Sequence, residues 1–179
     1  MIQINTTEIP SLREDDRFIG SSNSALILMK YGDYQCSKSG EVHQAIEKLR
    51  QKLGDRFCFV FRHFPQPELH PQSFKAAEIA EAAGAQGKFW EMHGVLFENQ
   101  QALEDGNLIE YVAQLELDVP RVLRELSDRT YRDRVQKDID NGKEYGVEQT
   151  PTVFIGIRHE GTQNLEALVS GILETLNRI

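Results

Sequence analysis

Cysteine is nearly absent from this chain, with two thiols, Cys36 and Cys58, in 179 residues. Two do not make the disulfide framework that holds small secreted domains together, so they point to a compartment where thiols stay reduced, or to one reactive thiol. Also missing is any apolar run near the roughly 18 residues of a membrane span. The opening Met-Ile-Gln-Ile-Asn-Thr-Thr-Glu has neither the basic region nor the apolar run of a secretory leader. A soluble, cytoplasmic protein without membrane insertion is expected. No long Lys/Arg cluster occurs, and 20 basic against 28 acidic side chains leave a net charge of −8. That argues against a nucleic-acid or anionic-lipid partner and implies solubility. No internal repeat or low-complexity segment appears. Among the histidines, His63, His70 and His93 do not have the close spacing of a structural zinc site, so no metal is expected.

What is present is centred on Cys36. Residues 26–29 form an apolar run of strand length, Gly32 and Asp33 break it, and Val42, Ile46, Leu49 and Leu53 then recur at helical spacing from Ser37 onward. Cys36 therefore falls where a strand hands over to a helix N-terminus. Such a place offers unpaired N–H groups and roughly half a positive charge, which favour thiolate over thiol. Thiols so placed ionise well below the free value of about 8.5 and become nucleophiles near neutral pH. Ser39, one helical turn above, is positioned to donate its hydroxyl to the sulfur. The competing reading is a small buried core residue. The polar flanks and the turn favour the reactive one, with the sulfur in reach of solvent.

A chain of this length fits one domain. Residues 1–24 read as a draped N-terminal arm with at most a short edge strand near Phe18, and residues 57–61 as a buried parallel strand completing a βαβ unit. Cys58 would lie at the far end of that strand from Cys36, beyond disulfide reach, and is assigned to the core. A proline-rich loop from Arg62 to Pro71 should border the thiol, with Pro71 as the first residue of a helix. His63, ending the strand on the side of Cys36, is a candidate second active-site group or a loop hydrogen-bonder. His93 lies on an apolar helix stripe and reads as a core histidine. The interval 71–146 is helical throughout, with apolar stripes through Phe89, Met92, Leu96, then Leu108, Val112, then Val135, Ile139. Pro151 opens a β-branched and aromatic run, residues 157–163 look like a hairpin return with Gly161 at its turn, and Leu165, Leu168, Val169, Ile172 and Leu176 define a C-terminal helix.

The string Tyr31-Gly32-Asp33-Tyr34-Gln35-Cys36-Ser37-Lys38-Ser39 resembles the active-site segment of DsbA-like thioredoxin-fold oxidoreductases, aromatic-Gly-Asp-aromatic-x-Cys-Pro-x-Cys. Ser37 replaces the proline and Ser39 the second cysteine, giving Cys-x-x-Ser. Lys30 stands where such proteins often carry a buried acid. Its cation would favour a nearby thiolate, although a strand-end lysine reaching solvent is the general expectation. The block Arg62-His63-Phe64-Pro65, His70-Pro71, Ala82-Ala83-Gly84 and 86–93 is similar to cytoplasmic and antiporter-fused members of that family. Val147-Glu148-Gln149-Thr150-Pro151-Thr152-Val153-Phe154-Ile155 resembles its cis-proline loop. An X-Pro bond is cis in only about 5–6% of cases, so cis Pro151 is what the resemblance implies.

The resemblance further implies a thioredoxin-like α/β fold over residues 25–179 with an all-helical insertion at about 71–146. It implies thiol–disulfide exchange by Cys36 with Ser39 in support, and Thr150, Pro151 and His63 beside the bound substrate. Partners would be protein or peptide thiols and disulfides, with no bound cofactor and with glutathione or another thiol as co-substrate. A serine cannot attack a mixed disulfide, so oxidation by an internal disulfide is excluded. Thiol exchange, isomerisation, deglutathionylation and sulfenate sensing remain. The alternative from another class is a redox-inactive binding or regulatory module.

Overall fold

The computed structural model describes residues 10–24, 27–53, 58–155 and 157–160. Five strands, β1 (Arg17–Ile19), β2 (Ile27–Gly32), β3 (Cys58–His63), β4 (Thr152–Ile155) and β5 (Ile157–Glu160), form one sheet in the order β1-β3-β2-β4-β5. β2 and β3 are parallel, as a strand–helix–strand unit requires, while β1, β4 and β5 add antiparallel. The crossover is α1 (Ser37–Leu53). Between β3 and β4 come α2 (Ser73–Gly84), α3 (Phe89–Glu98), α4 (Asp105–Gln114), α5 (Val119–Ser127) and α6 (Arg132–Glu144), the expected helical insertion. β5 is the return strand of the hairpin. Gly161 and the expected C-terminal helix lie outside the described residues.

Side chains alternate across the sheet and give it two apolar faces. Leu28, Phe59, Phe61, Val153 and Ile155 pack with α1 to α5, whereas Met29, Tyr31, Cys58, Val60 and Phe154 pack with Val135 and Ile139 of α6. Burying each large apolar side chain contributes about 1.5–3 kcal/mol, so both layers hold the sheet rigid at the point where β2 turns into α1.

Three boundaries differ from expectation. β2 continues past the apolar run to Gly32, and β3 through Arg62 and His63, which are buried rather than in the loop. Their polar groups are satisfied inside the protein: Arg62 grips Asp16 with Nε and Nη2 at 2.8 and 2.7 Å, and His63 Nε2 meets Glu81 Oε1 at 3.0 Å. The described part of the N-terminal arm, residues 10–24, is consequently pinned rather than draped, because Asp16 is the buried partner of Arg62. α2 begins at Ser73, two residues after Pro71, where Ser73 Oγ donates to His70 O at 2.7 Å.

Candidate active site

Gly32 ends β2 against the ring of Phe61, where a Cβ would lie 2.7 Å from Phe61 Cε2 and 3.0 Å from Lys30 Cε. Only glycine lets the strand turn here without moving both. Asp33 then organises the turn: Oδ1 accepts from Gln35 N at 2.7 Å, and Oδ2 accepts from Gln66 N at 2.9 Å and meets His70 Nδ1 at 2.8 Å. One carboxylate thus joins the end of β2 to the proline-rich loop. Cys36 N donates to Asp33 O at 3.2 Å, and Cys36 O accepts from Gly40 N at 3.1 Å, the first bond of the α1 ladder. Cys36 therefore sits at the amide end of α1, where aligned peptide dipoles favour negative charge. Gln100 Nε2 donates to both Tyr34 O and Cys36 O at 2.8 Å and fixes the turn from the side of the insertion.

The Thr150–Pro151 peptide is cis and lies against the cysteine. Cys36 Sγ is 3.4 Å from Thr150 O. That contact suits a protonated sulfur, which donates to the carbonyl, while the helix end suits the ionised one. Thr150 Oγ1 donates to Gln66 Oε1 and Gln66 Nε2 donates to Glu148 O, each at 3.3 Å, so the cis-proline loop and the proline-rich loop are tied together. Cys36 is free and keeps 7% of its surface in contact with solvent, less open than expected. Cys58 is also free, fully buried, and opposite Ile27 at the other end of β2. Burial pushes its thiol up, and Asp16 adds to the rise.

Ser39 and His63 are not placed as expected. Ser39 is fully buried, and its Oγ accepts from Asp33 N at 3.4 Å instead of donating to the sulfur. His63 turns away from the cysteine to Glu81, and its backbone N donates to Asp138 Oδ2 at 3.0 Å. Glu81, which burial would raise, is brought down to about 2 by the hydrogen bond and charge of His63, with Arg17 and Arg134 adding to it. His93 is in the core as expected, 2.9 Å from Tyr34 Oη.

Lys30 is the largest departure. It does not reach solvent; it is fully buried beneath α1, with Nζ donating to Ser39 O at 2.8 Å and lying 4.2 Å from the centre of the Phe97 ring. Burial drops it to about 7, against the upward pull of Cys36 and Glu47. Sequence reasoning missed Asp33, Gln66 and Gln100. The Gly-Asp step signals a turn whose carboxylate caps the amide two residues on. Nothing in the chain marks the two glutamines.

The family model described as Thioredoxin matches residues 12–174. An Na(+)/H(+) antiporter NhaA 1 of Salinispora arenicola is 36% identical over 92% of this chain, and an NhaA antiporter of Herminiimonas arsenicoxydans is 34% identical over 96%. The chain spans about a quarter of the length of these relatives, 25% and 27%. Among solved structures, alpha-DsbA1 of Wolbachia pipientis superposes with a TM-score of 0.80 at 17% identity, covering 93% of this chain and 94% of that one. BdbD of Bacillus subtilis gives 0.76 at 20% identity, covering 90% and 93%. Among the described residues, no helix is long and apolar enough to cross a membrane. The sheet order, the helical insertion and these matches agree, and the chain belongs to the thioredoxin family, with the fold of the DsbA proteins.

Proposed function

We propose that this protein carries out thiol–disulfide exchange through Cys36 alone. The observation that carries the reading is a free cysteine at the amide end of α1, 3.4 Å from the carbonyl of the residue before cis Pro151. An extended peptide laid along that loop brings its disulfide to the sulfur. Beside Gln66, a groove of about 920 Å³ walled by Phe64, Pro65, Leu69, Phe74, Ile139 and Val147 offers room for apolar side chains of such a peptide. Thr150 and Pro151 act in substrate placement; Asp33, Gln66 and Gln100 hold the turn and loops.

In the exchange, the Cys36 thiolate attacks one sulfur of a substrate disulfide, forming a mixed disulfide and expelling the other sulfur as thiolate. Ser39 cannot complete the cycle, so a second, external thiol attacks the mixed disulfide and restores Cys36. With a glutathionylated protein and glutathione the balance is protein–SSG plus GSH giving protein–SH plus GSSG, with the protein disulfide reduced and glutathione oxidised. The test is turnover of a glutathionylated peptide, with Cys36→Ala as the blank. Turnover that vanishes in the blank supports the reading. A wild-type rate equal to the blank rejects it in favour of a redox-inactive module, in which the buried Ser39 is simply part of the packing.

A further inference from the structure

The exchange step leaves one group under the first turn of α1 without a role. Lys30 projects from β2 into the space between α1 and α3, 4.2 Å from the Phe97 ring and 5.6 Å from that of Phe61. Among the described residues its hydrogen-bond partner is the Ser39 carbonyl, and none of their carboxylates forms an ion pair with it. A buried ammonium in such surroundings is costly unless an opposite charge is near. The charged and titratable groups that face it are few. Cys36, just before α1, and Glu47 on α1 attract the cation; His43 on α1 and His93 on α3 are in turn lowered by it. Glu47 is 38% exposed and engaged by Arg50 at 2.7 Å. Burial, with Lys30 and Arg50 adding to it, brings His43 down to about 4, and burial and the neighbouring cations hold His93 well below its ordinary value. Both rings are thus neutral near pH 7. That leaves Cys36, whose sulfur is negative when it acts as the nucleophile, as the counter-charge for Lys30.

We propose that Lys30 is a positioning residue whose charge follows the state of Cys36, an ammonium beside the thiolate and a neutral amine once the sulfur is in a mixed disulfide. This rests on the exchange reading above. The step balances as Cys36–S⁻ plus Lys30–NH3⁺ plus R–S–S–R′ giving Cys36–S–S–R′ plus Lys30–NH2 plus R–SH. The S–S bond of the substrate breaks, a new one forms to Cys36, and the departing thiolate ends with a proton equivalent to the one Lys30 gives up. Attack by the external thiol runs the exchange backwards: its proton returns to Lys30 as Cys36 leaves as thiolate. The buried site therefore carries no net charge from this pair in either state, which avoids the several kcal/mol that an uncompensated buried ion costs. Lys30 already lies at about 7, so losing the pull of Cys36 is enough to change its state at cellular pH.

The test compares the pH profile of Cys36 alkylation by iodoacetamide in wild type and Lys30→Met, with Cys36→Ala as the blank. We expect the variant to react about tenfold more slowly near pH 7 and to converge with wild type near pH 10, corresponding to a displacement of about one pH unit. A merely structural role would change rates without moving the profile. Identical profiles with peptide turnover intact would overturn the role of Lys30 and leave exchange by Cys36 standing. A wild-type thiol that behaves as a free one, with no turnover, would remove both. A second measurement needs no Lys30 variant: the side-chain carbon and nitrogen NMR signals of Lys30 near pH 7, before and after methanethiosulfonate converts Cys36 to its methyl disulfide. Movement to the neutral-amine position is expected. Signals that stay in place contradict the proposal.

Discussion

Two cations on neighbouring strands, Lys30 and Arg62, are both fully buried, yet their surroundings are opposite. Arg62 faces α6. It holds Asp16 with two bonds and also donates to Ser11 O at 2.7 Å, Tyr31 Oη at 2.9 Å and Asn141 Oδ1 at 2.6 Å. Burial would lower it, but the bonds to Asp16 and Tyr31 raise it further above its ordinary value. Lys30, on the other face, has one carbonyl and two aromatic rings, and burial lowers it to about 7. A cation whose every donor is matched is fixed in one charge state and serves the fold. A cation left under-matched is free to change state, and this one sits beneath the first turn of α1.

The largest effect that tests this contrast is on stability. Replacing Arg62 by Met leaves the buried Asp16 with Arg13 as its remaining cation and strips the donors from Tyr31, Asn141 and Ser11 O, which should cost about 3 kcal/mol in urea denaturation near pH 7. Lys30 lies at about 7, where its charge is already half lost, so Lys30→Met should cost far less than Arg62→Met there. Because Lys30 falls from 10.5 to about 7 on folding, the unfolded chain binds more protons between these values. Wild-type stability should accordingly gain from this residue as pH rises through that window, and the gain should be missing from Lys30→Met. Equal losses in the two variants would erase the distinction.

Next in size is the acid side of the paired region. Glu81 falls from 4.5 to about 2, so the stability it contributes is complete above 4.5 and disappears as pH drops toward 2. That is about 3 kcal/mol in an acid titration, absent from Glu81→Gln. An unchanged acid limb in the variant would mean the network does not hold the arm and insertion as described. Smaller again is Gln100→Ala, which deletes the bonds to Tyr34 O and Cys36 O and should lower stability by about 1–2 kcal/mol by thermal melting. The same variant should broaden the NMR signals of residues 34–36. Ser39→Cys should add dithiol reduction of a model disulfide without an external thiol; silence there would show that more than the second sulfur is missing.

How much of this was readable in the chain depends on whether the interaction was local. The turn at Gly32-Asp33, Cys36 at the helix start, and the Thr150-Pro151 loop are short strings whose meaning lies in neighbouring residues, and each is found where it was expected. In the sequence Arg62 reads as loop and Asp16 as part of a solvated arm, whereas both are buried. A charged side chain reads as solvated until a partner many positions away buries it, as Asp16 does for Arg62. Lys30 reads as solvent-reaching for a different reason: no charged partner among the described residues calls it inward, and it is buried by the packing of α1 and α3 over β2. Ser39 was one turn from Cys36 in sequence, but its Oγ is taken up by Asp33 N, a contact set by the turn and not by helical spacing.

The central claim is that Cys36 is a single working nucleophile. Intact mass of the protein after exposure to glutathione disulfide, and again after reduced glutathione is added, tests it most directly. The account predicts one glutathione adduct, mapped to Cys36, which forms readily near neutral pH and is then removed with Cys36 restored as a free thiol. A protein that stays unmodified, or an adduct that reduced glutathione does not remove, would contradict it.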